Sequence, residues 1–431
     1  GNSTATNGNG ATYVAYLFAH NNNDGEFGPD SDQDIIKCGS YTGNSTIGHT
    51  INLGFEAQWV LVRSTSDLRK WMLYDVMRGM PVDGNGAALY PNSTDDEEAL
   101  ARIGASNVGF QLTSTDSMVN VSGETYIYMA IRRGPLAVPD DATKVFTPVL
   151  GDGSGTPSIK TNHITDFGIA QNITGGGTVV GTRLLGTKQL KTHTNGAEAT
   201  NSYFNWDFQN GWHTWTGLNT NYINWNWKRA PGYFDCVAFS GTGSARTVPH
   251  GLTVPPEMIW CKQRSGTKEW RVYHKDLDSS APEDYYLVLN STNARVDNAD
   301  TWNDTAPTSS VFSVGSSSVT NQSGQTFIAY LFATVAGVSK VGSVSHTSGS
   351  ATNVSCGFSN GARFIILKRY DAVSDWWVFD TVRGIAVGND ARLYLNSTNA
   401  ETSTDQIDPL SSGFTIDGNR ATGDYIFYAI A

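Results

Sequence analysis

The chain has 431 residues, with 40 acidic against 29 basic side chains and a formal net charge of −11 at pH 7. That balance argues against a nucleic-acid partner, which needs clustered Lys and Arg, and no apolar run approaches the roughly 18 residues of a membrane span. Aromatic residues make up 11% of the chain, 12 of them Trp, and turn formers are abundant while charged residues reach only 16%; such a chain is neither disordered nor built for helices, and nearly all-β structure is expected.

Residues 1–20 include TNGNGATYVAYLFAH, which matches TNQSGQTFIAYLFAT at 320–334 and, more loosely, the C-terminal GDYIFYAIA. In those later copies the strand closes a repeat, so the segment is expected to be the last strand of an upstream repeat. An acidic loop follows, NNNDGEFGPDSDQD at 21–34. Its Asp30, Asp32 and Asp34 alternate as oxygen donors on a calcium loop often do, but the EF-hand spacing fails, because Tyr41 stands where a bidentate Glu belongs. A solvated acidic loop explains the same residues, and calcium is the one cofactor the sequence suggests.

The repeat unit is clearest at Arg363 to Gly384, RFIILKRYDAVSDWWVFDTVRG, two β-branched and aromatic strands around a polar turn. Gln58 to Gly79 repeats it, placing Trp71 on Trp376, Asp75 on Asp380 and Arg78 on Arg383. Glu257 to Lys275 is a third copy, with Trp270 in the Trp position and His274 in the Asp position. A divergent copy without that Trp and Asp has DFGIAQNI and VVGTRLLG as its hairpin strands and NYINWNWKR as its closing strand.

The expected fold class is all-β, as tandem β-sandwich repeats (jelly-roll or concanavalin-like, or Ig-like) of about 100 residues each. The expected division is an upstream strand and acidic loop at 1–34, repeat 1 at 35–133, a Pro- and Gly-rich linker at 134–160, divergent repeat 2 at 161–229, repeat 3 at 230–333 and repeat 4 at 334–431. The segment DDEEALARI at 95–103, with acids leading and Arg102 near its end, is a short helical candidate. In the hairpin, Trp376, Val378 and Val382 fall on one face and Trp377 and Phe379 on the other. Both faces are apolar, which predicts packing on a second sheet and also on a neighbouring repeat or subunit.

No nucleophile elbow, P-loop or zinc signature occurs, and the eight His are scattered. Asp75 and Asp380, each three residues before an Arg, read more simply as ion pairs closing a hairpin than as catalytic acids. No catalytic residue is expected. The four Cys read as reduced thiols without zinc spacing. Asn92, Asn290 and Asn396 begin Asn-Ser-Thr at one repeat position and suit a capped turn. In YFNWDFQNGWHTW at 203–215, Trp206, Trp212 and Trp215 are candidates for stacking on sugar rings, or equally for filling a sandwich core.

The motifs GSYTGN, YLFAHNN-DGEFGPD, GTRLLGTKQLKT and WKRAPGYFD resemble the tandem repeats of tail-fibre and appendage proteins of marine bacteriophages, and the likeness spans essentially the whole chain. That resemblance implies an extracellular component on the virion surface: a homo-oligomeric, trimeric fibre or spike contacting a host-surface glycan or protein, with no membrane insertion. It carries no catalytic residues over. Repeats summing their stabilities along a rod fit that picture. The alternative is a bacterial surface adhesin or extracellular filament subunit with carbohydrate-binding modules. A polysaccharide-degrading enzyme ranks below both, since it needs two facing carboxyls that no region suggests.

Overall fold

The computed structural model describes residues 4–20, 27, 31, 33–66, 68–82, 86–153, 155–214 and 218–431. Four copies of one antiparallel β-sandwich account for most of it, so the chain is all-β as expected. In repeat 4 the large sheet runs, in spatial order, Ser339–His346, Gly423–Ile430, Phe364–Arg369, Trp376–Asp380, Asn389–Tyr394 and Thr402–Asp405. A small sheet of Thr352–Ser355, Gly413–Ile416 and Ile407–Leu410 covers its inner face. Repeat 3 has the same order, from Phe234–Ser240 at one edge through the closing strand Thr326–Phe332 to Val296–Asp297 at the other. Repeat 2 follows it from Phe146–Leu150 through Tyr222–Trp227 to Ala199–Thr200. Repeat 1 keeps the core of the plan, Ile36–Thr42, Thr125–Arg132, Ala57–Ser64 and Met72–Asp75.

Three local expectations are corrected. The 95–103 segment is not a helix: Glu98–Leu100 pairs with Gly86–Ala88, and Ile103–Ser106 joins the small sheet of repeat 1. A helical run that short nucleates poorly, and cross-strand partners satisfy its backbone instead. Nor is 134–160 wholly a linker, because Phe146–Leu150 is the first strand of repeat 2, paired with Tyr222–Trp227, and Ile159–Lys160 belongs to its small sheet. Pro148 made this stretch read as a turn. It is tolerated because the strand lies at a sheet edge, where one N–H is dispensable. Residues 9–20, within the segment expected as a closing strand, are exposed and pair with no strand among the described residues.

The two-faced hairpin does what its pattern predicts. Phe379, with Trp377 beside it, fills the interior of sandwich 4, while Trp376 and Val378 join a central cluster shared between repeats. Val382, beyond the strand, is exposed. In the centre Phe167 of repeat 2 meets Tyr330 of repeat 3 at 4.5 Å, Phe332 meets Tyr428 of repeat 4 at 5.1 Å, and Phe364 of repeat 4 meets Phe146 of repeat 2 at 4.9 Å.

The sheets of repeats 2, 3 and 4 therefore face one another around a common aromatic core rather than lining up as a rod. Three equivalent junctions close this ring. The Trp376 indole N–H donates to the Val288 carbonyl (2.9 Å), and the Trp270 indole N–H donates to the Lys191 carbonyl (3.0 Å). Gln171, in the divergent repeat, donates instead to the Tyr394 carbonyl (3.0 Å). Lys368 reaches the Thr292 carbonyl and Lys262 the Asn195 carbonyl, while the Gly176 N–H donates to the Thr398 carbonyl. Past the sheet edge, the Arg295, Glu198 and Glu401 N–H groups donate to the carbonyls of Tyr370, Arg264 and Ile173, each the first residue after its hairpin strand. The order runs from repeat 2 to 3, from 3 to 4 and from 4 back to 2. It is a pseudo-threefold within one chain, held by burial of large aromatic faces and oriented by backbone carbonyls.

Candidate ligand-binding clefts

Within the Trp-rich stretch the structure separates the sequence candidates. Trp212 is fully buried, stacked on Trp206 with centroids 4.7 Å apart and planes 3° apart, and its indole N–H donates to Asn226. It is core, and no sugar stacks on it without opening the repeat. Trp215 lies outside the described residues. Trp206 is mostly buried, its indole N–H bound to the Gly186 carbonyl at 2.9 Å, but it also lines a cleft of about 490 Å³ between repeats 1 and 2. Arg183 braces that wall from behind, donating to the carbonyls of Thr165, Trp206 and Phe208. Burial pushes its pKa below the usual guanidinium range.

A second, larger cleft of about 630 Å³ opens between repeats 1 and 3. Thr50, Asn52 and Gln111 supply one wall, and Ser240 and Arg246 the other, with Phe239 beneath the Arg246 guanidinium. The Asn107 side-chain amide donates to the Pro249 carbonyl at 2.8 Å and ties the walls together. Period-two alternation turns Ile51 inward and leaves Thr50 and Asn52 exposed. The alternation is local to one strand, whereas the cleft needs two surfaces distant along the chain to meet.

Of the calcium candidates, Asp30 and Asp32 lie outside the described residues. Asp34 is buried, and its carbonyl accepts from Arg132. Among the described residues three carboxylates, Asp405, Asp408 and Asp417, bring oxygens within 4.8 Å of one another. They come from separate strands and loops of repeat 4, which is why no sequence motif shows them. Asp408 and Asp417 already accept backbone N–H groups of Gly388 and Asn419.

The acids that resemble catalytic residues are structural. Asp75 binds Arg78 and Asp380 binds Arg383, each at 2.7 Å, and each also accepts the Arg backbone N–H. His274 takes over this acceptor role in repeat 3, its Nδ1 receiving the Asp276 N–H at 3.1 Å. The Asn-Ser-Thr position is equally structural, since Asn92, Asn290 and Asn396 accept the backbone N–H of Trp71, Trp270 and Trp376 and lock the hairpin to the next strand.

Burial pushes the His274 imidazole down to about 3, with the Phe427 backbone pulling weakly the other way, from an unfolded value of 6.5. Between those values the unfolded chain binds a proton that the folded chain refuses. The stability His274 supports is therefore complete above pH 6.5 and is lost as pH falls toward 3, by at most about 1.4 kcal/mol per pH unit. His274→Asn keeps an acceptor and removes the titration. Its melting temperature is expected to gain on that of the unmodified chain as pH drops from 7 to 4.5. Parallel curves would show that His274 does not titrate this way.

No curated protein matches the chain. A model of a domain of unknown function, DUF7483, matches residues 1–135 and 160–431, which take in most of all four sandwiches. By that match, the chain belongs to the DUF7483 family of domains of unknown function.

Proposed function

We propose that this protein is a structural and adhesive component of a virion appendage, a tail fibre or spike, that works outside the cell and meets the host surface through glycans held in clefts between its repeats. One observation carries the ligand class: the cleft between repeats 1 and 3 presents exposed Thr50, Asn52 and Ser240, together with Gln111, from strands of two sandwiches. Hydroxyl and amide side chains both donate and accept, which suits sugar hydroxyls, and a volume of about 630 Å³ accommodates a few sugar rings. The walls are strands tied by Asn107, so little ordering is left for the ligand to impose. The structural half of the reading draws support from the closed ring of sheets and from the resemblance of the repeat motifs to phage appendages.

The test is binding of the intact chain to polysaccharides extracted from host cell surfaces, followed by surface plasmon resonance. Gln111→Ala combined with Ser240→Ala is expected to weaken binding at least tenfold with an unchanged melting temperature. Absence of binding, or binding indifferent to both substitutions, would overturn the glycan reading.

A further inference from the structure

Repeat 1 carries the same outer sheet face that repeats 2, 3 and 4 bury against one another, yet in repeat 1 no described residue buries that face. The register makes the correspondence unambiguous. Trp59 lies opposite Asp75 as Phe364 lies opposite Asp380, so Leu61 stands at the place of Ile366 and Leu73 at that of Val378. On the closing strand Ile131, Met129 and Ile127 stand at the places of Ile430, Tyr428 and Ile426. In repeat 4 these residues are buried, Ile426 being 1% exposed. In repeat 1 Trp59, Leu61, Leu73, Met129 and Ile131 are only half-buried, and Ile127 is 39% exposed.

The groups that orient the ring junctions are present too. Trp71 occupies the position of Trp270 and Trp376, and its hairpin is locked by Asn92 in the same way. Its indole N–H has no hydrogen-bond partner among the described residues, whereas both counterparts donate to a carbonyl of the neighbouring repeat. Arg63 stands in the place of Lys262 and Lys368, and its guanidinium lies over the Trp71 ring at 5.4 Å. The matching acceptors, the carbonyls of Tyr90 and Thr94, and the matching donor, the Glu97 N–H, lie on the same repeat. One repeat thus holds both halves of a junction that, three times over within this chain, closes after three members.

We propose that the outer face of the large sheet of repeat 1 binds the same face on two further copies of this chain about a threefold axis, reproducing between chains the ring that repeats 2–4 form within one. Trp71 of each copy donates to the Tyr90 carbonyl of the next, and Arg63 to the Thr94 carbonyl, over a core of Trp59, Leu61, Met129 and Ile131. A head-to-tail contact closes when its rotation divides the circle, and the internal junctions fix that rotation at a third of a turn. A contiguous, partly exposed apolar sheet face marks an interaction surface. This assembly goes beyond the glycan reading and does not depend on it.

The test is light scattering coupled to size exclusion on the intact chain, with sedimentation equilibrium for affinity. The expected mass is three times that of the 46.5 kDa chain. Leu61→Glu is expected to give monomer, and Trp71→Phe to weaken association at least tenfold. Ile127→Glu, at an already exposed position, provides a second disruption that leaves folding untouched and is likewise expected to give monomer, with an unchanged circular dichroism spectrum. A monomer at every concentration, another stoichiometry, or a trimer indifferent to Leu61→Glu and Ile127→Glu would overturn the proposal.

Discussion

Arg229→Met is expected to destabilise the intact chain by about 3–5 kcal/mol, the usual cost of breaking a buried ion pair from one side. Arg229 sits at the joint between repeats 2 and 3 and is 5% exposed. Its guanidinium binds Asp235 at 2.7 Å and grips both carboxylate oxygens of Glu56 in repeat 1, while its backbone N–H donates to Asp166. Arg133 lies behind the same acids, 3.6 Å from Glu56 and 3.8 Å from Asp235. Three repeats therefore meet at one charge cluster. Burial by itself would raise the Asp235 carboxyl; the Arg229 and Arg133 guanidiniums outweigh it and hold the pKa below the ordinary 3.8. The stability this shift supplies is present above pH 3.8 and is lost as pH falls through the lower folded value. In the variant, burial acts on Asp235 against Arg133 and the Gly251 and Cys236 N–H donors without Arg229, so its carboxyl moves up and protonates more readily. The deficit, measured by urea melts, is expected to be largest near pH 7 and to shrink toward pH 4. A variant as stable as the unmodified chain at pH 7 would show that the cluster is not a weld.

Trp376→Ala is expected to cost about 3–5 kcal/mol, from a large cavity and the loss of the bond to Val288. The side chain is 1% exposed and belongs to the core between repeats, not to the interior of its own sandwich. The effect must therefore be read in the whole chain, because repeat 4 alone would lack the partner that buries this ring. Trp376→Phe separates the contributions by restoring most of the apolar contact while leaving the Val288 carbonyl without the indole donor. Its cost is expected to fall to about 1–2 kcal/mol. Equal losses for both variants would assign the whole effect to the hydrogen bond, and no loss for either would remove Trp376 from the core.

The sandwiches were legible because their signal is local. Runs of β-branched and aromatic residues in Phe364–Arg369 and Trp376–Asp380 give strands, and two apolar faces give two packing partners. The ring was not legible, because its acceptors at Lys191, Val288 and Tyr394 are backbone carbonyls, which any residue supplies. Repeat 2 hid its part further by carrying Thr178 at the Trp position and using Gln171, at the position of Lys368, as the donor. Phe146–Leu150 was missed because Pro148 weighs as a turn former in sequence and as a harmless edge residue in the sheet. Of the site candidates, the Trp cluster was visible as composition, but which ring meets solvent depends on the loop carrying Trp206 over Trp212. The 630 Å³ cleft has no sequence signature, since it exists only once repeats 1 and 3 are side by side.

The ring also sets the order in which the protein takes shape during synthesis. Repeats 2 and 3 can pair as soon as both have emerged, since Trp270 reaches back to Lys191. The last junction joins Gln171 to Tyr394, residues 223 apart in the chain, and waits for most of repeat 4. Until then the aromatic faces around Phe167 and Phe332 stay open. Contacts so distant in sequence form slowly, and open apolar sheets invite wrong partners in the interval. A ribosome that stops after repeat 3 releases a chain with an unclosed core, which makes completion of repeat 4 the checkpoint between a sticky intermediate and a sealed ring.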